Sequence, residues 1–306
     1  MPQPNRRSLI WLLAAVVSGG LYAQFRSDVR LVVLHASVTD KHGKLLTNLK
    51  QSAFKVFENG QPQQVKRFRQ EDVPVSLGII IDDSGSMSNK RSRVEAAALA
   101  LVRASNPQDE VFIVNFNDEW YLDVPFTDDI HKMEQGIAKI DSRGGTAMRD
   151  AISASLDYMR EKAKKDKKVL LVITDGNDNA SNTSLEKIVG RSNQSDTLVY
   201  AIGLFAEEEK HDAAKARRAL SELTTATGGV AFYPKDVSEV QALAVEIAHD
   251  IRSQYTIEYT PSIQELDGSY RQIKVTADGP GKPVVRTRSG YYATPDVRGK
   301  AAAESQ

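Results

Sequence analysis

Four short runs in the middle of the chain, residues 75–81, 111–116, 169–173 and 198–202, are apolar at nearly every position rather than at every second one. A strand with one face in water alternates. A strand that is apolar throughout is covered on both faces, as in a parallel sheet held between helices. The stretches between these runs carry the helices, expected at residues 91–104, 129–140, 147–163, 184–192, 212–227 and 238–253. In the third of them Met148, Ile152, Ser155, Leu156 and Met159 recur every three to four residues, which turns one face toward a core. Alternating strands and helices predict an α/β domain with a doubly wound, mostly parallel sheet. Residues 120–124, after the turn-like Asn117-Asp118, predict one short antiparallel strand.

Two strand-rich flanks, residues 24–72 and 254–293, surround this central block of residues 73–253. In the first, Val32, Leu34, Ala36 and Val38 alternate, and residues 54–57 lead into Glu58-Asn59-Gly60. Asn-Gly is a strong hairpin signal. In the second, Tyr255, Ile257 and Tyr259 alternate, Asp267-Gly268 turns the chain, and Ile273 and Val275 resume the pattern. Neither flank is long enough to bury a good core alone, so the two are expected to pair as one β-rich companion domain. Residues 294–306 read as a polar tail.

The first 23 residues differ from the rest, since Arg6-Arg7 precede an apolar stretch that ends in small residues before Ala23. This is the form of a secretory signal peptide cut after Ala23. The apolar stretch 9–21 has 13 residues, against roughly 20 for a spanning helix. The reading is therefore export to the periplasm or beyond the cell, with no stable membrane anchor after cleavage. The arginine pair is also a loose match to the twin-arginine route. The whole chain holds 40 Lys plus Arg and 40 Asp plus Glu, and cleavage would leave 38 against 40. Neither balance suggests nucleic acid as a partner. The chain has no cysteine, which excludes disulfides, zinc-thiolate sites and a cysteine nucleophile.

Asp82-Asp83-Ser84-Gly85-Ser86 directly follows the first apolar run, Gly144-Gly145-Thr146 opens a helix, and Thr174-Asp175-Gly176 follows the third run. In an open parallel sheet, ligands collect at the carboxyl ends of the strands. Asp82 and Asp175 would both emerge there. Together with Ser84, Ser86 and Thr146 they form a set of hard oxygen donors, suited to Mg²⁺, Mn²⁺ or Ca²⁺. Ser and Asp after a strand also form ordinary turns and helix caps. Asp83 is expected to face solvent, and Asp178, between Asn177 and Asn179, to belong to a polar loop rather than to a second ion site. The lysines at 162, 164, 165, 167 and 168 are expected to form a solvated helix end.

The three segments, in this order and at these separations, resemble the von Willebrand factor A domain and its metal-ion-dependent adhesion site. Met87, the continuation Ala147 and Asp150-Ala151, and Ile173 before Thr174 strengthen the likeness, which covers about residues 75–253. It implies that Ser84 and Ser86 coordinate a metal through their hydroxyls, Thr146 through its hydroxyl in the ligand-bound form, and Asp82 and Asp175 directly or through water. The flanking motifs resemble an exported bacterial group of related proteins. Two carboxylates and three neutral hydroxyls would leave Mg²⁺ a place for water or an incoming group. An Asp or Glu of a protein partner is the natural occupant of that place.

Two other classes compete with this adhesion reading. In one, the chain is a cell-envelope scaffold whose metal serves only stability. In the other it is a metal-dependent hydrolase, but Ser84 and Ser86 lie in no Gly-x-Ser-x-Gly elbow. The five histidines, at 35, 42, 131, 211 and 249, are scattered with no metal-ligand spacing. There is no phosphate-binding Gly-x-x-x-x-Gly-Lys loop. The expectation is a binding module and not an enzyme.

Overall fold

The computed structural model of the protein describes residues 31–70, 72–137, 143–205 and 210–294. The signal segment, the last three residues of the second expected helix and the tail from residue 295 lie outside the described residues. The chain begins with β1 (Val32–Thr39), β2 (Phe54–Glu58), β3 (Gln61–Gln63) and β4 (Val65–Arg69). It enters the central block through β5 (Val75–Asp82), α1 (Arg91–Ala104), β6 (Glu110–Phe116), β7 (Trp120–Thr127) and α2 (Ile130–Ile137). There follow α3 (Met148–Lys162), β8 (Lys167–Thr174), α4 (Leu185–Gln194), β9 (Thr197–Gly203), α5 (Lys210–Thr227), β10 (Ala231–Phe232) and α6 (Val240–Arg252). It returns through β11 (Tyr255–Tyr259), β12 (Tyr270–Ala277), β13 (Val284–Arg286) and β14 (Gly290–Tyr292).

The central sheet has the order β10-β9-β8-β5-β6-β7, parallel except for the edge strand β7. Every residue of β5, β6, β8 and β9 is buried. The cause is helices on both faces, which remove water from the odd and even positions alike. On one face Leu77, Ile79 and Ile81 pack with Val94 and Leu101 of α1 and Val240 and Ile247 of α6. On the other, Ile80, Phe112 and Val172 pack with Ile152 and Leu156 of α3 and Leu220 of α5. The architecture is the doubly wound α/β fold that the sequence predicts. Gly78 allows its tight centre, because a β-carbon there would lie 2.3 Å from the ring of Phe112 and 2.5 Å from Leu170.

The flanks form two four-stranded antiparallel sheets, ordered β13-β1-β11-β4 and β14-β12-β2-β3. Each combines strands from before and after the central block: Val32 pairs with Tyr259, and Val56 with Val275. Their inward residues, among them Leu34, Ala36, Val56, Ile257 and Tyr259, share one apolar core. The β2–β3 hairpin turns at Asn59 and Gly60, whose φ values of 48° and 79° are those of a type I′ turn.

A buried polar group joins the flanking sheets to the central block. Asp250 of α6 accepts from the Tyr200 hydroxyl of β9 at 2.7 Å and from Arg286 of β13. The side-chain amide of Gln254 donates to Tyr200 and to Ser37 of β1, each at 3.0 Å. The lysine cluster departs from its expectation. Lys167 and Lys168 begin β8 and are buried, and the Lys167 ammonium donates to the carbonyl of Ile251 at the end of α6. The two are strand residues because β8 pairs with β5 from Val75–Lys167 onward.

Candidate metal centre

β5 and β8 are neighbours, with Ile81 opposite Ile173, so Asp82 and Thr174 leave the sheet side by side. The Thr174 hydroxyl donates to Asp82 Oδ2, and the backbone N–H of Ser84 donates to Asp82 Oδ1 at 2.9 Å. The second bond folds residues 82–84 into an Asx-turn and aims the following serines back over the sheet edge. Ser84 stands at the N-cap of a one-turn helix, Gly85–Met87, without using its hydroxyl as the cap. That hydroxyl lies 3.1 Å from Ser86 Oγ, and Ser86 Oγ donates to Asp175 Oδ1 at 2.7 Å. Asp82, Ser84, Ser86 and Asp175 therefore form one hydrogen-bonded set drawn from two strand ends.

The loop before α3 brings Thr146 to the same edge. Gly144, at φ +77°, accepts from the N–H of Gly85 at 3.3 Å. The Gly145 N–H donates to Asp118 and the Thr146 N–H to Asn179, at 2.8 and 2.9 Å. The Thr146 carbonyl accepts from the N–H groups of Asn179 and Ala180. Its hydroxyl lies 3.2 Å from where a β-carbon on Gly176 would stand, beside Asp175. Thr146 is buried.

One neighbour differs from expectation. Asp83 is buried, not solvent-facing, because its backbone stitches loops together: its N–H donates to Phe116 and its carbonyl accepts from Arg143. Asp178 lies in a loop, as expected, and accepts there from the backbone and guanidinium of Arg149, at the start of α3, and from Ser181. Sequence reasoning missed Lys90, whose ammonium pairs with Asp175 Oδ2 and whose side chain is largely covered. Its only signal is its place four residues beyond Ser86, at the start of α1.

Burial pushes the Asp82 carboxyl up to about 6, against the bonds from Ser84 and Thr174 that favour its charged form. Asp175 has no exposed side-chain surface and holds an ammonium. The set thus combines two buried carboxylates with hydroxyls that add no charge, in surroundings where a cation already sits against one carboxylate. Those donors fit a hard divalent ion. Among the described residues no cluster of three or more His, Cys, Asp or Glu offers a different kind of centre.

The von Willebrand factor type A domain family matches residues 77–177, a span that contains all five candidate ligands. Comparison with curated proteins returns no match. Among solved structures, a von Willebrand factor type A protein from Catenulispora acidiphila superimposes with a TM-score of 0.51 at 12% identity, over 92% of this chain and 80% of its own. The vWF domain of the type V pili tip protein Mfa5 from Porphyromonas gingivalis has a TM-score of 0.49 at 12% identity, over 59% of this chain and 95% of its own. The PilB minor pilin from Streptococcus sanguinis has 0.49 at 12%, over 60% and 63%. At 92% coverage the Catenulispora likeness extends past the central block into the flanking sheets, and at 12% identity it is a likeness of fold. Residues 77–177 thus match the von Willebrand factor type A domain family, and the central block that contains them has a fold like that of such a domain.

Proposed function

We propose that this protein is an exported, non-enzymatic binding module that captures a protein partner through a divalent cation, Mg²⁺ by preference, with Mn²⁺ or Ca²⁺ as substitutes. Asp82, Ser84, Ser86, Thr146 and Asp175 would hold the ion. The observation that carries the reading is the hydrogen-bonded chain Ser84–Ser86–Asp175 beside the buried Asp82, at the carboxyl edge of a parallel sheet. The ion, when bound, would supply a positive centre able to accept a carboxylate oxygen. The chain's own residues orient it: Thr174 and the Ser84 N–H fix the Asp82 carboxylate, and Asn179 fixes the Thr146 loop. An Asp or Glu of a partner is the matching group, because it replaces a neutral water by a charged oxygen. Hydroxyls bonded to one another and to a carboxylate suit ligands better than a nucleophile paired with a base. Export rests on the signal-like segment 1–23. Among the described residues no helix is long and apolar enough to cross a membrane.

Calorimetric titration of Mg²⁺ and Mn²⁺ into wild type, Asp82→Ala and Asp175→Ala tests the centre. One saturable site in the wild type, lost in both variants while their circular dichroism is unchanged, is expected. A folded wild type that binds neither metal would sink the proposal. Thr146→Ala then separates adhesion from scaffolding. Adhesion predicts an unchanged melting temperature with lost chelator-sensitive association, and a metal that serves only stability predicts the reverse.

A further inference from the structure

The outward face of the sheet β13-β1-β11-β4 is only partly open to solvent. Alternation along β1 and β11 sends Val32, Leu34, Tyr255 and Ile257 into the core of the flanking sheets, and turns Val33, His35, Thr256 and Glu258 the other way. That second face looks across at the amino ends of β8 and β9. Between them lies a cavity of about 640 Å³, within the range of roughly 300–1,000 Å³ common for ligand sites. It sits at the opposite end of β5 from Asp82, roughly 25 Å away by strand length. Sites in this fold class favour the carboxyl edge. The cavity at the amino edge exists because the flanking sheets roof that edge.

Its lining is both apolar and basic. Leu31, Val33, Val73, Pro74, Leu198 and Ala226 supply an apolar wall, and Leu31 and Val33 are more than a third exposed. Lys164, Lys165, Lys167 and Lys168 line it from the approach to β8. Arg67 and Arg69 contribute from β4, and Arg288 from the segment between β13 and β14. Against these seven cationic side chains the lining has three carboxylates, Asp166, Asp196 and Glu258. Two of the three are already engaged: Glu258 by Arg69 at 2.6 Å and Arg67 at 3.3 Å, and Asp196 by Arg288 at 2.6 Å. The ammonium groups of Lys164 and Lys165 meet no carboxylate among the described residues. His35 lies in the same cavity. Burial first, and then the charge of Lys167, push its imidazole down to about 3; Arg288 and Lys168 act in the same sense and Asp196 opposes them.

We propose that this cavity is a binding site for an amphiphilic organic anion, a small molecule with one acidic head group and an apolar body. Lys164 and Lys165 receive the head group, and the wall around Leu31 and Val33 receives the body. A purely inorganic anion would leave the apolar wall wet, and a neutral apolar molecule would leave the surplus positive charge unanswered. Their combination in one enclosure selects a ligand that has both features.

The site is independent of the metal centre, and its test separates the two. Anilinonaphthalene sulfonate is the probe, followed by fluorescence on the full chain. The uncharged phenylnaphthylamine, which has the same apolar body, and inorganic phosphate as competitor are the controls. One saturable sulfonate site is expected, at least tenfold tighter than the neutral amine and weakened at least tenfold by K164E/K165E. Val33→Trp, which fills the cavity from an exposed strand position, should abolish it, and Asp82→Ala should leave it unchanged. Equal affinity for the neutral amine, displacement by phosphate alone at the same concentration, or binding that survives both substitutions in folded variants would overturn the proposal.

Discussion

At the scale of single residues, the site turns on how charge is balanced around Asp175. Its carboxylate is enclosed and shared between the Ser86 hydroxyl and the Lys90 ammonium. A divalent ion held as proposed at Asp175 would have to compete with that ammonium, since both would be drawn by the same oxygens. Lys90→Met should therefore tighten Mg²⁺ binding by about tenfold, read by calorimetry. It should also lower the stability of the metal-free protein by about 3 kcal/mol, because it leaves a buried carboxylate without its cation. Unchanged affinity would mean that Lys90 and the metal do not share Asp175. That the candidate residues come together at one sheet edge was legible from sequence because each stands at a recognisable boundary: Asp82 and Asp175 after apolar runs, Thr146 after two glycines. Lys90 was not, since a lysine at the start of a helix carries no local sign of what it faces. Asp83 misled for a related reason. Its side-chain type says solvent, while its backbone bonds to Phe116 and Arg143 draw it into the wall of the site.

At the scale of elements, apolar runs located the strands but undercounted their ends. The run 169–173 became Lys167–Thr174, and 198–202 became Thr197–Gly203. Apart from Gly203 the added residues are polar, and they are held in place by the ladder and by specific partners, as Lys167 is by Ile251. Hydrophobicity cannot register them. The first helix, residues 91–104, has the predicted bounds, and α6 starts later than expected because residues Val237–Glu239 form a tighter 3-10 turn capped by Asp236. Packing between elements was also invisible locally. Gly78 reads as a weak point in a strand, yet it is where the ring of Phe112 and the side chain of Leu170 cross β5. Gly78→Ala forces a methyl into that crossing, and overpacking of this kind costs about 2 kcal/mol. Urea unfolding should register that loss with an unchanged slope. A neutral result would mean that the ring of Phe112 has room to turn aside.

At the scale of the whole molecule, the amino edge of the central sheet and the outer face of a flanking sheet create an environment that neither would have alone. His35 and Lys167 meet there although they are far apart in sequence, so no local pattern announced the cavity. The consequence is a dependence of stability on pH. The imidazole of His35 is held at about 3 in the folded chain, against 6.5 ordinarily. Above the ordinary value the ring is neutral in both states and costs nothing. As pH falls below 6.5, the unfolded chain takes up a proton that the folded chain refuses, and stability declines by up to about 1.4 kcal/mol per unit of pH. Asp82 acts in the opposite sense, because its carboxyl is raised to about 6. Between that value and its ordinary one, the folded state binds the extra proton and gains stability as pH falls. The two effects overlap near pH 4 to 6, so the total slope of the wild type does not isolate either. The difference between wild type and His35→Gln does, since Asp82 is common to both. Chemical unfolding at a series of pH values should give curves that run together above about pH 7 and separate below 6.5, with the wild type losing stability faster. Curves that stay parallel throughout would mean that His35 takes up its proton inside the folded protein, and that neither burial nor the charge of Lys167 holds it neutral there.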